Sequence, residues 1–519
     1  MTSTESVSFY DLHVLRLDNL KTSIILAASG WLLFQLVGCI RNVYFHPLSK
    51  FPGPRTAAAS SWWSAYQQTI ANRSMHHICK KLHAQYGDII RIGPNRLHFN
   101  HPDSYEEIYR KRFDKDPFMY ALLGGDGSTV TYVKYHDNKN RKDILHPFFS
   151  KSSVHAREEL IQANIEMFCS LLTRHHEKGV SANMRRGFRC ISLETITTMC
   201  FGKSLACFEF EDFHCPILES MDMVVSWFMV FKHYWVVRHL ILYIPEWVGL
   251  AFFKKGLALA HLKNMLAEQI DELAVGSDKP TQNQFPTIYG ALLDPAQYSK
   301  SKPPPSRASL LEEAIALVIA GTDTIGATMT MCTYQLCKYP EKVARLKAEL
   351  RAAWPDLKSP VPNVQKLEKL PYLTAVIKEA LRMAPTTTSE LSRMVSPQGA
   401  EIGGEVIPGG TIVSMGVLFT MQHPYAYELP ELFIPERWLE EGEDAKRRLD
   451  RYFVPFSKGP RSCIGINFAW CEMYLTLANL FRRFDLSVDG TKDEDFDWFD
   501  AGVALFKGSL KCHVTPVTE

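Results

Sequence analysis

The chain has 519 residues, of which 46% are hydrophobic and 22% charged, and its formal net charge is +2. This composition is typical of a globular protein with a large core. The near-neutral charge, with no long basic run in the sequence, argues against nucleic acid as a partner. Twelve cysteines without paired spacing favour reduced, buried thiols over a disulfide framework.

An uncharged apolar stretch of eighteen residues, Ser23 to Ile40, lies near the N-terminus. Its length is just sufficient to cross a membrane. A cleaved signal peptide or a buried helix would be the alternative, but the preceding residues are poor in Lys and Arg, and no small-residue cleavage site follows. Arg41, Lys50 and Arg55 follow the stretch, so the positive-inside rule places the rest of the chain in the cytosol.

A proline-rich run, His46 to Arg55, comes next. Three prolines and a glycine cannot continue a helix, so we predict a stiff connector. The connector divides the chain into an N-terminal segment, residues 1–45, with an anchor helix at about 23–40, and one large domain, residues 46–519.

The stretch from Met221 to Phe253 is crowded with apolar and aromatic residues. A second membrane span is one interpretation. However, Lys232, His233, Arg238 and His239 interrupt the stretch, and a charge in the middle of a span costs about 2.5–3.5 kcal/mol. We predict helices that roof a pocket and touch a bilayer, through which an apolar molecule enters.

The strongest helix signal runs from about Ser309 to Lys338. Ser309 is predicted as the N-cap, Glu312 as its capping-box partner, and Pro340 helps to end the helix.

Within this helix, Ala320 to Thr324 has the sequence A-G-T-D-T. Gly costs about 1 kcal/mol in a helix, and Thr hydroxyls compete for backbone carbonyls. Such a conflict indicates a functional site. The structural alternative is a close helix crossing at Gly321.

Four charged positions follow in the C-terminal third of the chain. Glu379 and Arg382 are three residues apart and share one helix face, and Arg437 comes from the run P-E-R-W. Arg393 precedes a strand, a Pro-Gly turn and a second strand.

The decamer F-S-K-G-P-R-S-C-I-G contains the most informative residue of the chain, Cys463. A thiolate in a glycine-bounded loop beside Arg461 is suited to bind a metal. Gly459 permits a tight turn and Gly465 lets the backbone pass close to a flat cofactor. Phe456 can cover the sulfur, and Arg461 can pair with a carboxylate. An ordinary buried cysteine is the alternative, but five such fixed positions recur by chance in roughly 10⁻⁴ of chains.

This decamer resembles the haem-binding loop of the cytochrome P450 superfamily, and the other motifs follow in that family's order. The details are similar to fungal microsomal enzymes of secondary metabolism. The resemblance implies a mainly α fold with a smaller β region, the P450 fold or triangular helical prism, behind a transmembrane anchor helix. Residues 46–519 would then form a haem-thiolate catalytic domain.

The resemblance also implies roles for the site residues. Cys463 would be the axial ligand to the iron of haem b, within a cofactor loop that includes Phe456, Gly459, Arg461 and Gly465. Thr324 would hold a water or the oxygen being activated, and Asp323 would supply protons. Glu379, Arg382 and Arg437 would form a buried structural network.

Contacts to the haem propionates are less sharply implied. The family's pattern favours Arg393 as one donor. Relatives usually carry an aromatic residue or His four residues before a second Arg, whereas Arg141 lies five after His136 and Lys142 lies four after Asn138. Arg141 and Lys142 are therefore both candidates, and a solvated helix face is the alternative.

The substrate pocket of the family would draw on four segments of this chain, although an aromatic residue is more often plain core. These segments are 118–123, 316–320, 386–388 and 501–506.

Together these features imply a monooxygenase that inserts one atom of O2 into an apolar small molecule, by hydroxylation or epoxidation. A fungal terpenoid or polyketide is the expected substrate class. A fatty-acid or xenobiotic hydroxylase, a P450-type isomerase and a haem-binding protein without turnover are alternatives. Intact Asp323 and Thr324 favour an oxygenase, because a pure binder needs no proton relay.

The electron donor is expected to be a separate protein, because the sequence has no G-x-G-x-x-G or flavin-binding segment. In microsomal relatives this donor is NADPH–cytochrome P450 reductase, with cytochrome b5 as a further candidate. The basic face around the haem loop, including Lys458, is the predicted docking surface for this electron donor. A basic face that contacts only solvent is the alternative. With the anchor, this predicts a single-pass protein of the endoplasmic reticulum membrane.

Overall fold

The computed structural model describes residues 9–121, 125–243, 254–275, 285–299, 302–440 and 442–518. Helices dominate these residues and short strands form a smaller part, as the family resemblance implies. The helices of nine or more residues are α1 (Phe9–Tyr44), α2 (Met75–Tyr86), α3 (Tyr135–Leu145), α4 (Glu158–Lys178), α5 (Met184–Phe201), α6 (Pro216–Ser226), α7 (Trp235–Tyr243), α8 (Lys254–Ala274), α9 (Arg307–Lys338), α10 (Pro340–Ala353), α11 (Pro371–Met383), α12 (Glu443–Tyr452) and α13 (Ile466–Arg483).

Shorter helices connect these longer ones. They are Arg55–Ala59, Trp62–Ala65, the π-turn Tyr66–Ile70, Asp103–Tyr109, Pro117–Tyr120, Lys151–His155, Phe228–His233, Ile288–Leu293, Val364–Leu367 and Val417–Met421.

The strands form one five-stranded sheet, one three-stranded sheet and two hairpins. They are β1 (Ile89–Gly93), β2 (Arg96–Phe99), β3 (Asp114–Lys115), β4 (Ala182–Asn183), β5 (Arg393–Met394), β6 (Ala400–Ile402), β7 (Glu405–Ile407), β8 (Ile412–Ser414), β9 (Phe484–Val488), β10 (Trp498–Ala501), β11 (Val503–Phe506) and β12 (Lys511–Pro516). The larger sheet has the order β1-β2-β8-β5-β3, and β2 pairs with β8 in parallel with Leu97 opposite Val413. The strands β6-β7 and β10-β11 form the hairpins, and β4-β12-β9 is antiparallel.

Two hydrophobic cores hold these elements together. The larger core lies between the helices, from α3 to α6, through α9 to α11, and α13. The smaller core packs the five-stranded sheet against α2 and the C-terminal end of α12. Since the loop before α13 and the middle of α9 both adjoin the larger core, the fold brings these two segments of the sequence to one place.

Helix α9 runs through the larger core. It begins two residues before the predicted start, because Ser306 and not Ser309 is its N-cap: the Ser306 hydroxyl accepts the Ser309 N–H. The prediction of a capping box at Ser309 is therefore wrong. The Ser309 hydroxyl instead donates to the Gly127 carbonyl at 2.6 Å, and the Glu312 carboxylate accepts the Gly127 N–H at 2.6 Å.

Two described helices are long and apolar enough to cross a membrane, but their environments differ. In α9 the apolar stretch is 72% buried, so it is a core helix, apolar on most sides. In α1 none of the apolar stretch is buried. This stretch is therefore not part of the hydrophobic core.

The proline-rich connector packs against the first strand of the sheet. The Arg91 N–H donates to the Pro52 carbonyl at 2.7 Å, and Leu48 is buried. A Cβ added to Gly53 would lie 2.3 Å from the Arg91 carbonyl oxygen, so glycine is required for this close approach.

The aromatic stretch from residue 221 is not one continuous helix. Helix α6 ends at Ser226, a short helix covers Phe228–His233, and α7 follows. Residues 244–253, including Trp247, lie outside the described residues.

All twelve cysteines are free thiols.

Candidate active site

The loop from Phe456 to Gly465 leads directly into α13. The Cys463 N–H donates to the Phe456 carbonyl at 2.9 Å, which closes the loop. Gly459 has φ +73°, and a Cβ there would lie 2.3 Å from the Tyr109 carbonyl oxygen, so only glycine fits. A Cβ added to Gly465 would meet only the Cys463 sulfur, at 3.9 Å. Open space therefore lies beside the sulfur.

This space belongs to a cavity of about 280 Å³ between the loop and α9. Phe456, Arg461 and Cys463 line it from the loop, and Gly321 and Thr324 line it from α9. The sequence motifs predicted each of these residues as part of the site, and the fold brings them to one cavity.

Cys463 is enclosed by protein, but its sulfur retains accessible surface because it faces the cavity. Burial raises the pKa of the Cys463 thiol, and the Gly465 N–H and the Lys142 charge partly offset this effect. Lys142 is held nearby because its ammonium donates to the Ser462 carbonyl at 2.7 Å. Positive charge and an N–H donor beside the sulfur favour the thiolate, the form that binds metals.

On α9, Gly321 fits both interpretations given above, a functional site and a close helix crossing. Gly321 lines the cavity, and a Cβ added to it would lie 3.0 Å from Ile196 of α5. The glycine therefore serves both the helix crossing and the open space. One turn later the Thr324 hydroxyl donates to the Ala320 carbonyl at 2.8 Å and faces the cavity. Its oxygen can still accept a hydrogen bond from a molecule in the cavity.

Asp323 faces away from the cavity lining and pairs with Arg189 of α5. The Arg189 Nε donates to Asp323 Oδ1 at 2.8 Å, and its Nη2 lies 2.8 Å from Asp222 of α6. Burial raises the pKa of Asp323, and the Arg189 charge opposes this. A Cβ added to Gly326 would lie 2.6 Å from Arg189 Cγ, so Gly326 makes room for the arginine. Sequence reasoning missed Arg189, because α5 carries three arginines and no motif distinguishes this one.

Four cationic side chains line one part of the cavity: Lys115, Lys142, Arg393 and Arg461. Burial, with the charges of Arg393 and Arg461, holds the pKa of Lys115 well below its usual range. Burial and Arg393 lower the pKa of Arg461 to about 10. Such a cluster is electrostatically costly unless an anion joins it. Lys115 was missed from the sequence.

One of these cations, Arg461, has a buried donor without a partner. Arg461 donates to the Tyr132 and Val133 carbonyls at 2.9 and 2.7 Å, but its buried Nε has no partner. Arg393 donates to the Tyr120 hydroxyl at 2.8 Å. Among the lining residues that the structure describes, Glu313 is the one carboxylate, and it pairs with Arg141.

These residues fit a haem. A cavity with a cysteine thiol and an excess of positive charge suits a flat group that has a metal at its centre and two carboxylates at its edge. Cys463 would hold the iron, and Arg393, Arg461, Lys115 and Lys142 surround the place for the carboxylates. When bound, such a group supplies the binding and activation of O2.

The two candidate residues in α3 have different environments. Lys142 lines the cavity, whereas Arg141 is turned into the wall behind it. Arg141 Nη1 lies 2.8 Å from Glu313, and its Nη2 donates to Ser309 at 2.8 Å and to Tyr132 at 3.1 Å. The geometry corrects the expectation for Arg141, because Glu313 holds its guanidinium away from the cavity.

The Glu379, Arg382 and Arg437 side chains meet between α11 and the segment Pro435–Leu439. Arg382 donates to both carboxylate oxygens of Glu379, at 2.9 and 2.8 Å, and Arg437 Nε donates at 3.2 Å. Trp438 Nε1 and the Ile434 N–H add two further bonds at 2.9 Å. Donors thus surround this buried carboxylate, which is the arrangement that a structural role requires.

The predicted pocket segments 316–320 and 386–388 both contribute to the cavity lining. The residues that line it are Ala316, Leu317, Ala320, Thr386 and Thr387.

The aromatic predictions are corrected. Phe118 stacks on the Arg96 guanidinium at 4.7 Å, and Tyr120 lines the cavity in its place. Phe506 packs on Arg185 at 5.4 Å, so the β10-β11 hairpin lies outside the described lining. Residues 122–123 lie outside the described residues.

Lys458, the residue named for the predicted docking face, is not freely exposed. Its ammonium pairs with Glu106 at 2.7 Å and donates to the Arg451 carbonyl.

Comparison with known proteins identifies the family of this chain. A family model described as Cytochrome P450 matches residues 52–512. The chain is 31% identical over 520 residues to the cytochrome P450 monooxygenase flvC of Aspergillus flavus, covering 92% of this chain and 94% of that protein. It is 32% identical over 494 residues to the cytochrome P450 monooxygenase macH of Penicillium terrestre, covering 94% and 96%. It is 29% identical over 494 residues to the tryptophan 6-hydroxylase fscE of Fusarium equiseti, covering 92% and 94%.

The fold and the cysteine-centred cavity define an oxygen-activating haem-thiolate class of enzyme. The chain belongs to the cytochrome P450 family, and its relatives are fungal monooxygenases. The family resemblance and the enzyme class predicted from the motifs are therefore confirmed.

Proposed function

We propose that this monooxygenase inserts one atom of O2 into an apolar small molecule held between Cys463 and α9. The observation that carries this proposal is the Cys463 sulfur facing a cavity whose α9 wall is uncharged from Ala316 to Thr324. Ala316, Leu317 and Ala320 offer no charge to that wall, so an uncharged, apolar surface of the substrate fits there.

The positions of the other residues support the roles proposed for them. Thr324 Oγ1 would hold a water or a reacting oxygen by a hydrogen bond, and Asp323 would relay protons from the side of Arg189. Arg393, Arg461 and Lys142 would bind the carboxylates of the cofactor and so fix its orientation. Phe456 would exclude water from the sulfur.

The test of the cofactor assignment is the spectrum of the reduced, carbon monoxide-treated protein. We expect the red-shifted Soret band of a thiolate-bound haem. Cys463→Ala should abolish this band. Cys337→Ala, a partly buried cysteine at the end of α9 and outside the described lining, should retain it. A normal haem band in the wild type, or the same band in Cys463→Ala, would contradict the assignment.

The test of the oxygen chemistry is the coupling of NADPH oxidation to product formation. Thr324→Ala should lower the product formed per NADPH by about tenfold or more, because a hydroxyl that guides protons is removed. Thr324→Ser keeps the hydroxyl and should recover most of the coupling. Equal coupling in wild type and Thr324→Ala would remove Thr324 from the mechanism.

For the substrate class we propose a fungal secondary metabolite of terpenoid or polyketide type. The support is similarity to fungal monooxygenases over most of the chain. A relative that is named a tryptophan 6-hydroxylase makes an aromatic amino acid a second candidate. Untargeted product analysis after co-expression with a reductase separates these classes. Oxidised tryptophan in place of an oxidised terpenoid or polyketide would overturn the first choice.

We further propose that α1 anchors the enzyme in the endoplasmic reticulum membrane with its catalytic domain in the cytosol. The exposed apolar residues of α1 support this proposal, because exposing so large an apolar surface to water is energetically unfavourable. NADPH–cytochrome P450 reductase, with cytochrome b5 as a further donor, would supply electrons on that side. Deletion of residues 1–45 should move the protein from the membrane to the soluble fraction; unchanged membrane association would contradict the anchor.

A further inference from the structure

A second cavity, of about 760 Å³, lies between the start of α2 and the β10-β11 hairpin. Its described lining is separate from that of the active site. Trp63 and Trp498 form aromatic walls, and the His77 ring packs on Trp498 with 4.9 Å between ring centres. No role in the reaction accounts for this cavity.

The N-terminus of α2 opens into this cavity without its usual cap. Ser74 is the N-cap residue, but its side chain makes no capping hydrogen bond. The Ser74 side chain is more than nine-tenths buried, it lines the cavity, and its Oγ has no partner. A buried hydroxyl without a partner is costly. At the positive end of a helix of twelve residues, an anionic oxygen would satisfy both the hydroxyl and the first N–H groups.

The charges around the cavity favour the same ligand. Arg73, Lys81 and Lys507 contribute three positive charges, and Asp497 is the one acidic side chain in the described lining. Asp497 pairs with Lys507 at 2.9 Å, so Arg73 and Lys81 give the excess charge. An excess of two positive charges beside a helix N-terminus matches a phosphate group.

The surroundings indicate how that phosphate is presented. Trp63 and Gln67 line the cavity, while Trp62, Tyr66 and Ile70 of the same segment are exposed to more than half of their surface. The helix just before this segment, Arg55–Ala59, contacts the end of α1, because Asn42 Nδ2 donates to the Ala59 carbonyl at 3.1 Å. An apolar surface next to the anchor helix would lie against lipid, so the phosphate and the acyl chains of one molecule can be bound together.

We propose that this second cavity binds the phosphate headgroup of an anionic phospholipid, with Ser74, Arg73, Lys81 and the N-terminus of α2 as its ligands. The lipid would fix the orientation of the catalytic domain on the bilayer. The choice of a lipid rests on the proposed membrane attachment, whereas the phosphate site itself rests on the residues above.

The experiment uses the detergent-solubilised full chain and isothermal titration calorimetry with dihexanoyl phosphatidate, a soluble short-chain lipid. Dihexanoyl phosphatidylcholine and inorganic phosphate are titrated in parallel. We expect saturable binding of one phosphatidate per chain, with weaker binding of both comparison ligands. Inorganic phosphate binding as tightly as phosphatidate would overturn the lipid assignment, and no saturable phosphatidate binding would overturn the site.

A matched pair of variants tests the residues. Lys81→Glu should weaken phosphatidate binding by about tenfold or more, because a charge-assisted bond is replaced by repulsion. Lys80→Glu changes the neighbouring exposed lysine of the same helix, which lies outside the described lining, and should weaken binding by less than about twofold. Equal weakening by both variants would show nonspecific charge attraction and overturn the proposal.

Ser74→Ala should weaken binding with no change in net charge. The carbon monoxide spectrum is recorded on every sample. A thiolate-type band without phosphatidate binding would refute the lipid site alone, whereas loss of the band would concern the proposed oxygenase function.

Discussion

Glu379 in α11 and Glu472 in α13 are both completely buried, but their surroundings are opposite. Glu379 accepts five hydrogen bonds, four of them from the side chains of Arg382, Arg437 and Trp438. Glu472 has Ser192 of α5 as its one described partner, and its Oε2 has none. Burial therefore raises the pKa of Glu472 to about 8, and the Ser192 hydrogen bond lowers it by less.

The difference shows that burial alone does not decide what a carboxyl group does. Where positive charge and donors surround the group, as at Glu379, the charged form can connect α11 to the loop that precedes the site. Where donors are few, as at Glu472, the neutral acid is favoured at neutral pH, and the residue couples stability to pH instead.

The largest effect is expected from Glu379→Gln. The change leaves Arg382 and Arg437 as buried cations without a carboxylate, so the free energy of unfolding should fall by about 3–5 kcal/mol. Soret-monitored urea unfolding in detergent measures this loss. Glu440→Gln, at an exposed position after the same loop, is the control and should change little. A loss below about 1 kcal/mol at Glu379 would show that the network is dispensable.

Glu472→Gln should remove a pH dependence of stability. The folded pKa of about 8 lies above the ordinary value of 4.5, so the folded state retains the proton that the unfolded state loses. The free energy of unfolding of the wild type should therefore fall as pH rises between these values, by about 1.4 kcal/mol per pH unit.

The glutamine variant should lack this slope and gain stability relative to the wild type from pH 6 to pH 8. Urea midpoints at three pH values in this range measure the difference. Parallel pH profiles of the two proteins would contradict a neutral Glu472.

Trp438→Phe should have a smaller effect than loss of Glu379. Phenylalanine retains an aromatic ring, but one N–H donor to a charged acceptor is lost, at about 1.5–3 kcal/mol. Thermal loss of the Soret band should shift to lower temperature with the haem spectrum unchanged. No shift would mean that the remaining four donors satisfy Glu379 fully.

Ser192→Ala should have the smallest effect, about 1 kcal/mol at pH 6. Its informative result is the pH profile, because the Ser192 hydroxyl opposes the rise in the pKa of Glu472. Without it, the decline in stability should extend to higher pH than in the wild type. An unchanged profile would separate Ser192 from the titration of Glu472.

Local spacing accounts for what could be predicted from the sequence. The Cys463 loop, the A-G-T-D-T segment and the Glu379–Arg382 pair are each contained within ten residues, so residue order defines their geometry. The start of α9 was misplaced because Ser309 and Glu312 contact Gly127, which is distant in sequence.

The missed residues all depend on such distant contacts. Lys115 becomes part of the site because β3 pairs with β5, next to Arg393. Arg189 reaches Asp323 across 134 residues of sequence. No periodicity or motif joins residues so far apart, because their contact depends on how helices and strands pack.

The sequence by itself determined the family, the cysteine proposed as the cofactor ligand, the Glu379–Arg382 pair of α11 and the apolar N-terminal helix, because each is a short pattern with its own chemistry. The tertiary structure decided which charged groups meet. Glu313 keeps Arg141 from the cavity while Lys142 lines it, Glu472 has no cation among its described partners, and Ser74 lines a second cavity. Electrostatic and hydrogen-bond energies depend on distance in space and on burial, and only the packed chain defines those quantities.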